Sequence, residues 1–244
     1  MRRFALIVDG TRYDLNRENG ILLTNPTGLG TVSNDSYAGI NGNGFFSRVN
    51  REVTQGQVIG DLTFFSPSYT KYKSFVDTVI SGTSLQLVYD PDGTEYKADV
   101  ELAYITKTEM KDRAYLTAPV AFNMKSLWYT EETRSGYGSV SVTAGGQTET
   151  GIKVRVTSTL TNPVLTLTAG LTEIARAALT VTTSGIFEYS NYPDDSHIED
   201  AGHGDLLQYV DTSYPVFGRT RSAFTVALSG ATMNVTVRKY WRSV

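Results

Sequence analysis

The chain's two histidines, His197 and His203, both fall in the stretch Asp194-Asp195-Ser196-His197-Ile198-Glu199-Asp200-Ala201-Gly202-His203-Gly204-Asp205. Five carboxylates share it: Asp194, Asp195, Glu199, Asp200 and Asp205. Imidazoles among carboxylates are the side chains from which metal centres and acid–base pairs are built. Zinc, however, wants ligands placed by a helix or a tight knuckle, and this spacing provides neither. A calcium loop needs alternating oxygen ligands and a closing Glu, also missing. The stretch is expected to be a solvated acidic loop that ligates no metal.

Nucleophilic catalysis finds no support: there is no cysteine and no Gly-x-Ser-x-Gly. Glu131-Glu132 and Asp194-Asp195 are neighbours in sequence, whereas paired carboxylates work when held apart across a cleft. Trp128 and Trp241 could stack on a sugar, but each follows an apolar strand pattern and is expected in packing instead. Gly28-Leu29-Gly30 is not a phosphate loop, because no Gly-Lys-Ser/Thr follows. The chain is therefore expected to carry no catalytic residue, no cofactor-binding residue and no metal ligand, and not to be an enzyme.

The elements that would position any site centre on residues 66–129. Ser66 suits a helix N-cap and Pro67 the first helical position. Tyr69, Tyr72, Phe75, Val76, Val79 and Ile80 recur at threes and fours, which predicts one apolar stripe on a helix over about 67–81. Gly82 stands where a left-handed C-terminal residue belongs. Leu85–Tyr89, the turn Asp90-Pro91-Asp92-Gly93 and Tyr96–Ile105 predict a hairpin. In its second strand Tyr96, Ala98, Val100, Leu102 and Tyr104 share one face. Tyr115–Phe122 supplies a third strand. Before the helix, Phe4–Val8 and Arg12–Leu15 flank the two-residue turn Asp9-Gly10. Asn16–Gly44 is rich in Gly and Asn and is expected to be a long functional loop. Phe45–Val53 and Gln57–Phe65 read as two strands joined at Thr54-Gln55-Gly56, with a slip at Ile59-Gly60 that suggests a bulge.

At Tyr129 the texture changes. Thr130–Gly136 is polar and predicts a linker. Beyond it about eight short Ser/Thr/Val-rich strands alternate with turn signals, among them Thr143–Gln147 and Ser229-Gly230-Ala231, the pattern of a β-sandwich. Asp205–Val210 is one of those expected strands. The fold class is mainly β: two β-sandwich domains, 1–130 with one packed helix and 131–244.

Composition agrees. The 244 residues include 40% apolar side chains, 15 Tyr and 22 Gly, which favours β-structure with real cores. A net charge of −3 with signs intermixed argues against a nucleic-acid partner. The absence of cysteine excludes disulfides. The N-terminal apolar run is too short for a secretory signal, and no stretch approaches the roughly 18 apolar residues of a membrane span. A soluble protein made in the cytoplasm, with no membrane insertion, is expected.

The order of these elements resembles the siphophage distal tail protein family of Gram-positive phages and prophages. The resemblance rests on Val58–Phe64 before the helix Tyr69-x-x-Tyr72-x-x-Phe75, then Leu85–Tyr89, Asp92-Gly93-Thr94-Glu95-Tyr96, Val100–Lys107 with Glu109, and Phe122-x-x-x-Ser126-Leu127-Trp128-Tyr129. Gly185–Asp195, Leu206–Val210 and Phe217-Gly218-Arg219 extend it into the second half, which looks like the family's galectin-like sandwich. It implies a structural baseplate protein of the virion tail tip, assembled in host cytoplasm. Its first domain would form a hexameric ring joining the tail-tube protein to the tip hub and receptor-binding proteins, without any cofactor. Galectin's sugar-binding motif has no counterpart here. A carbohydrate-binding module with an accessory β domain, and a tail-tube protein, stay open as alternatives.

Overall fold

The computed structural model describes residues 2–30, 32–40, 45–54, 56–108, 115–143, 145–242 and 244, with backbone alone at 32–40 and 45–54. The chain is mainly β and falls into two compact units, Met1–Trp128 with Arg242–Val244, and Tyr129–Trp241.

The first unit contains β1 (Arg3–Val8), β2 (Thr11–Asp14), β3 (Ile21–Thr27), β4 (Val32–Ile40), β5 (Phe45–Thr54), β6 (Gln57–Phe65), α1 (Ser68–Ser81), β7 (Leu85–Asp90), β8 (Tyr96–Ile105) and β9 (Tyr115–Met124). Antiparallel pairing gives the order β2-β1-β7-β8-β9-β6-β3. The β1–β2 turn works as its sequence predicts, since Asp9 and Gly10 both take positive φ, 47° and 80°. Gly93 takes φ 102° in the β7–β8 turn, and its N–H donates to Asp90 Oδ1. Along β6 the burial alternates, with Val58, Leu62 and Phe64 inside. Helix α1 seats Phe75 against Phe64 of β6 (5.8 Å between ring centres) and Tyr13 of β2 (6.4 Å), strands from opposite sides of the sheet order.

Several expectations change here. The helix begins at Ser68; Pro67 occupies the cap position and no side chain caps it. Only Phe75 and Val79 of its stripe are buried, while Tyr69 and Ile80 stay 60% and 67% exposed. These two lie near the helix ends, and Lys107 sits over the Tyr69 ring at 5.0 Å. Gly82 is extended (φ −67°, ψ 139°) and not left-handed. Glycine is needed there because a Cβ would stand 2.4 Å from Val8 Cγ1. Tyr104 leaves the inner face because the β8–β9 register shifts between Leu102 and Tyr104.

The predicted loop over Asn16–Gly44 is instead a short 3-10 turn at Arg17–Asn19 followed by β3 and β4. Asn41–Gly44 lie outside the described residues, as do Thr31, Gln55 and Glu109. Strand β5 pairs with β4, not with β6. The irregularity near Gly60 belongs to β3, whose register slips between Thr24 and Thr27 around Asn25 at φ 51°. Gly60 lets that strand approach, since a Cβ would meet Leu23 Cδ1 at 2.9 Å.

The second unit is built from β10 (Trp128–Val142), β11 (Gly151–Val156), β12 (Val164–Ala169), β13 (Thr172–Ala178), β14 (Phe187–Tyr192), β15 (Asp195–Asp200), β16 (Gly204–Asp205) and β17 (Phe224–Trp241). Thr130–Gly136 is thus strand rather than linker, and Ser229-Gly230-Ala231 is no hairpin turn. Strand β17 runs straight through it, with Gly230 at φ 80°. Its first part pairs with β12 and its later part with β11, so one strand serves two layers. Leu165 and Leu167 of β12, Val154 of β11, Phe187 of β14 and Val235 of β17 share one apolar cluster between those layers. Asp205–Val210 holds a 3-10 turn at Leu207–Tyr209 where a strand is predicted. Of the Thr143–Gln147 turn, Ala144 lies outside the described residues and Gly146 takes φ 83°.

Candidate functional site

The acidic stretch is not a loop. Tyr192 and Asp195 close a two-residue turn, and β14 and β15 pair from Phe187↔Asp200 to Tyr192↔Asp195. Alternation then sorts the side chains: Ile198 and Asp200 point inward, His197 and Glu199 outward. The two histidines therefore serve different carboxylates.

His203 belongs to the inner network. The Asp200 side chain has no exposure and accepts from the backbone N–H of Ser184 (2.7 Å), Gly202 (3.0 Å) and His203 (2.5 Å). It also lies 2.8 Å from His203 Nδ1. Burial by itself would raise this carboxyl, but the hydrogen bonds from His203, Ser184 and Gly202 outweigh it and hold it at about 2. The network staples two turns together and leaves no open coordination position on Asp200.

His197 lies on the outer face. Its Nδ1 is 2.8 Å from Asp195 Oδ1 and its Nε2 is 3.2 Å from Glu188 Oε1. Glu188 and Glu199 are direct cross-strand partners. Lys153 of β11 donates to Glu188 (2.9 Å) and lies 3.6 Å from Asp195. Burial pushes the Glu188 carboxyl up, yet the Lys153 hydrogen bond and charge, with His197, bring it below the usual range. Among the described residues, Glu188, His197 and Glu199 are the group whose donor atoms, all within 4.8 Å of one another, could hold a metal. Glu188 escaped the sequence reading because it precedes the acidic run. The Pro193-Asp194 turn was the available signal, since a two-residue hairpin there places 188 opposite 199.

Of the other predicted candidates, Glu131 pairs with Arg238 (2.9 Å) and Glu132 with Arg134 (2.7 Å), so these carboxylates serve strand surfaces. Trp128 is buried beside Tyr89. Burial raises the Tyr189 and Tyr192 phenols far above their ordinary value, so neither is an acid–base group.

The remaining feature is a surface of backbone. β4 and β5 form a two-stranded ribbon from Val32↔Thr54 to Ile40↔Phe45, and among the described residues neither strand pairs with any other. Among the described residues both long edges of the ribbon are therefore unpaired, and such edges offer N–H and C=O groups to another strand.

Comparison with known proteins places this architecture. The family model for the N-terminal domain of distal tail proteins matches residues 4–125. A distal tail protein of Lactococcus phage SK1 is 31% identical over 132 residues, which is 51% of this chain and 44% of that one. The match thus spans less than half the length of that relative. Among solved structures, a chain of the phage p2 baseplate in its activated conformation with Sr superposes with a TM-score of 0.75 at 16% identity over 100% of both chains. The Dit protein of phage SPP1, described as a paradigm of the hub adsorption apparatus in Gram-positive-infecting phages, superposes at 0.60 with 13% identity, over 97% of this chain and 98% of that one. At such identities the superpositions speak for the fold, and the sequence matches speak for descent: the chain belongs to the distal tail protein family.

Proposed function

We infer that this protein is a structural component of a phage tail tip, and that residues 1–130 assemble into a hexameric ring while residues 131–244 form a separate, galectin-like domain. Such a ring would join the tail-tube protein to the tip hub and to receptor-binding proteins in the virion, after assembly in the host cytoplasm. The observation that carries this is the β4–β5 ribbon. A two-stranded ribbon is marginal alone in water, and this one finds no third strand in its own chain among the described residues. A neighbouring copy can supply what is missing by strand addition. Repeated head to tail, that contact closes when the rotation per copy divides a full turn.

Electron microscopy of the purified full chain tests the inference. Closed rings are expected; long tubes would favour a tail-tube protein, and isolated monomers at high concentration would remove the assembly role.

A further inference from the structure

The outer face of β14–β15 holds an electrostatic arrangement that tail assembly does not require. A neutral imidazole has one N–H donor and one lone-pair acceptor. Both ring nitrogens of His197 face carboxylate oxygens, Asp195 Oδ1 at 2.8 Å and Glu188 Oε1 at 3.2 Å. Carboxylates only accept. Whichever nitrogen carries the proton, the other aims a lone pair at an oxygen lone pair. Lys153 Nζ, 2.9 Å from Glu188 Oε1, answers part of that conflict, and a cation held between Glu188 Oε1 and His197 Nε2 would answer the rest.

Glu199 adds a second, independent strain. It lies directly across from Glu188, and like charges in that position repel. Its carboxylate has no hydrogen bond or ion pair among the described residues, although its oxygen lies within 4.8 Å of both the Glu188 and the His197 donor atoms. Lys153 answers part of the negative charge through Glu188 and Asp195, and Arg155 is the cross-strand partner of Glu188 on β11. Neither cation is paired with Glu199.

We propose that Glu188, His197 Nε2 and Glu199 form a divalent transition-metal site of the zinc class, with Asp195 as the carboxylate that orients the imidazole. The geometry suits it. Donors about 2.0–2.1 Å from a tetrahedral zinc stand about 3.3 Å apart, and Nε2 and Glu188 Oε1 are already at 3.2 Å. Glu199 is exposed and free to swing in. Asp195 on Nδ1 is the outer partner that metal-bound imidazoles usually have. One nitrogen and two oxygens suit a first-row transition ion, whereas calcium takes six to eight oxygens. Lys153 shares the Glu188 oxygen and competes with the ion, shifting to Asp195 when the metal binds. The fourth position is open to water or to a donor from another protein.

Calorimetric titration of zinc chloride into the metal-stripped full chain at about pH 7.5 tests this. One zinc per chain is expected. Glu199→Gln, a surface change with no partner to lose, should weaken it roughly tenfold or more, and Asp195→Asn by about 10–100-fold. His197→Ala should abolish binding and His203→Ala leave it unchanged, because His203 serves Asp200. Calcium chloride should give no comparable heat. No zinc binding by the wild type, or wild-type affinity retained in Glu199→Gln and His197→Ala, would overturn the proposal. Calcium binding as tight as zinc would equally contradict it.

Discussion

The Arg238 guanidinium lies 4.1 Å over the ring of Tyr129. On its other side it lies 4.2 Å over Tyr192, and its Nε donates to Glu131 at 2.9 Å. A planar cation between two aromatic faces, 13% exposed and ion-paired, ties β10, β14 and β17 at one place. Arg238→Met keeps the stem but removes both stacks and the ion pair to Glu131, and should destabilise the second unit by about 2–3 kcal/mol. Arg238→Lys should recover less than half, because an ammonium cannot stack on two faces. Urea unfolding of both variants checks this.

Two glycines with positive φ separate backbone strain from close approach. Gly93 at φ 102° has nothing within 4 Å of the place a Cβ would occupy, so Gly93→Ala should cost about 1 kcal/mol. Gly28 at φ 80° would place its Cβ 1.9 Å from the Gln57 carbonyl oxygen. Gly28→Ala must move backbone and should cost about 3 kcal/mol or more, and loss of the β3–β6 pairing beyond Thr24 would be visible as faster amide exchange.

Helix α1 yields a contrast between neighbouring stripe positions. Phe75→Ala removes a ring packed on Phe64 and Tyr13 and should cost about 3–5 kcal/mol. Ile80→Ala, at a position 67% exposed, should change stability by less than about 0.5 kcal/mol. Equal losses at both positions would show that Ile80 is packed.

Asp200 sets an acid limit on the second unit. Its folded value of about 2 lies below the ordinary Asp value of about 3.9, so ionised Asp200 favours the folded state. That stabilisation is complete above about pH 4 and is lost as pH falls towards about 2. Asp200→Ala leaves three backbone donors unsatisfied and should cost about 2–4 kcal/mol at neutral pH. The deficit should shrink between about pH 4 and pH 2, measured as urea midpoints across that window.

Local signals in the sequence were legible where one short-range rule decided the outcome. The Asp9-Gly10 and Asp90–Gly93 turns, the alternation in β6 and the existence of α1 follow from residues within a few positions of each other. What was not legible depended on distant partners. Nothing near Gly82 announces that Val8 will press on it, and nothing near Tyr104 announces the register shift against β9. The Asn/Gly-rich composition of Asn16–Gly44 hid β3 and β4, because β3 is specified by pairing to β6 and not by its own propensity. The acidic stretch hid β15 for the same reason: alternating Asp, His, Ile, Glu and Asp suggest a solvated loop until strand pairing puts Ile198 and Asp200 on one buried face. Glu188 enters the charged cluster only through strand register.

Assembly of this chain through its own first unit is tested most directly by native mass spectrometry of the purified full chain, because that measurement counts subunits. One dominant species of six chains is predicted, which dissociates when β4–β5 is deleted while the far-ultraviolet spectrum of the remaining strands persists. A wild type that stays monomeric, or a hexamer unchanged by that deletion, would contradict it.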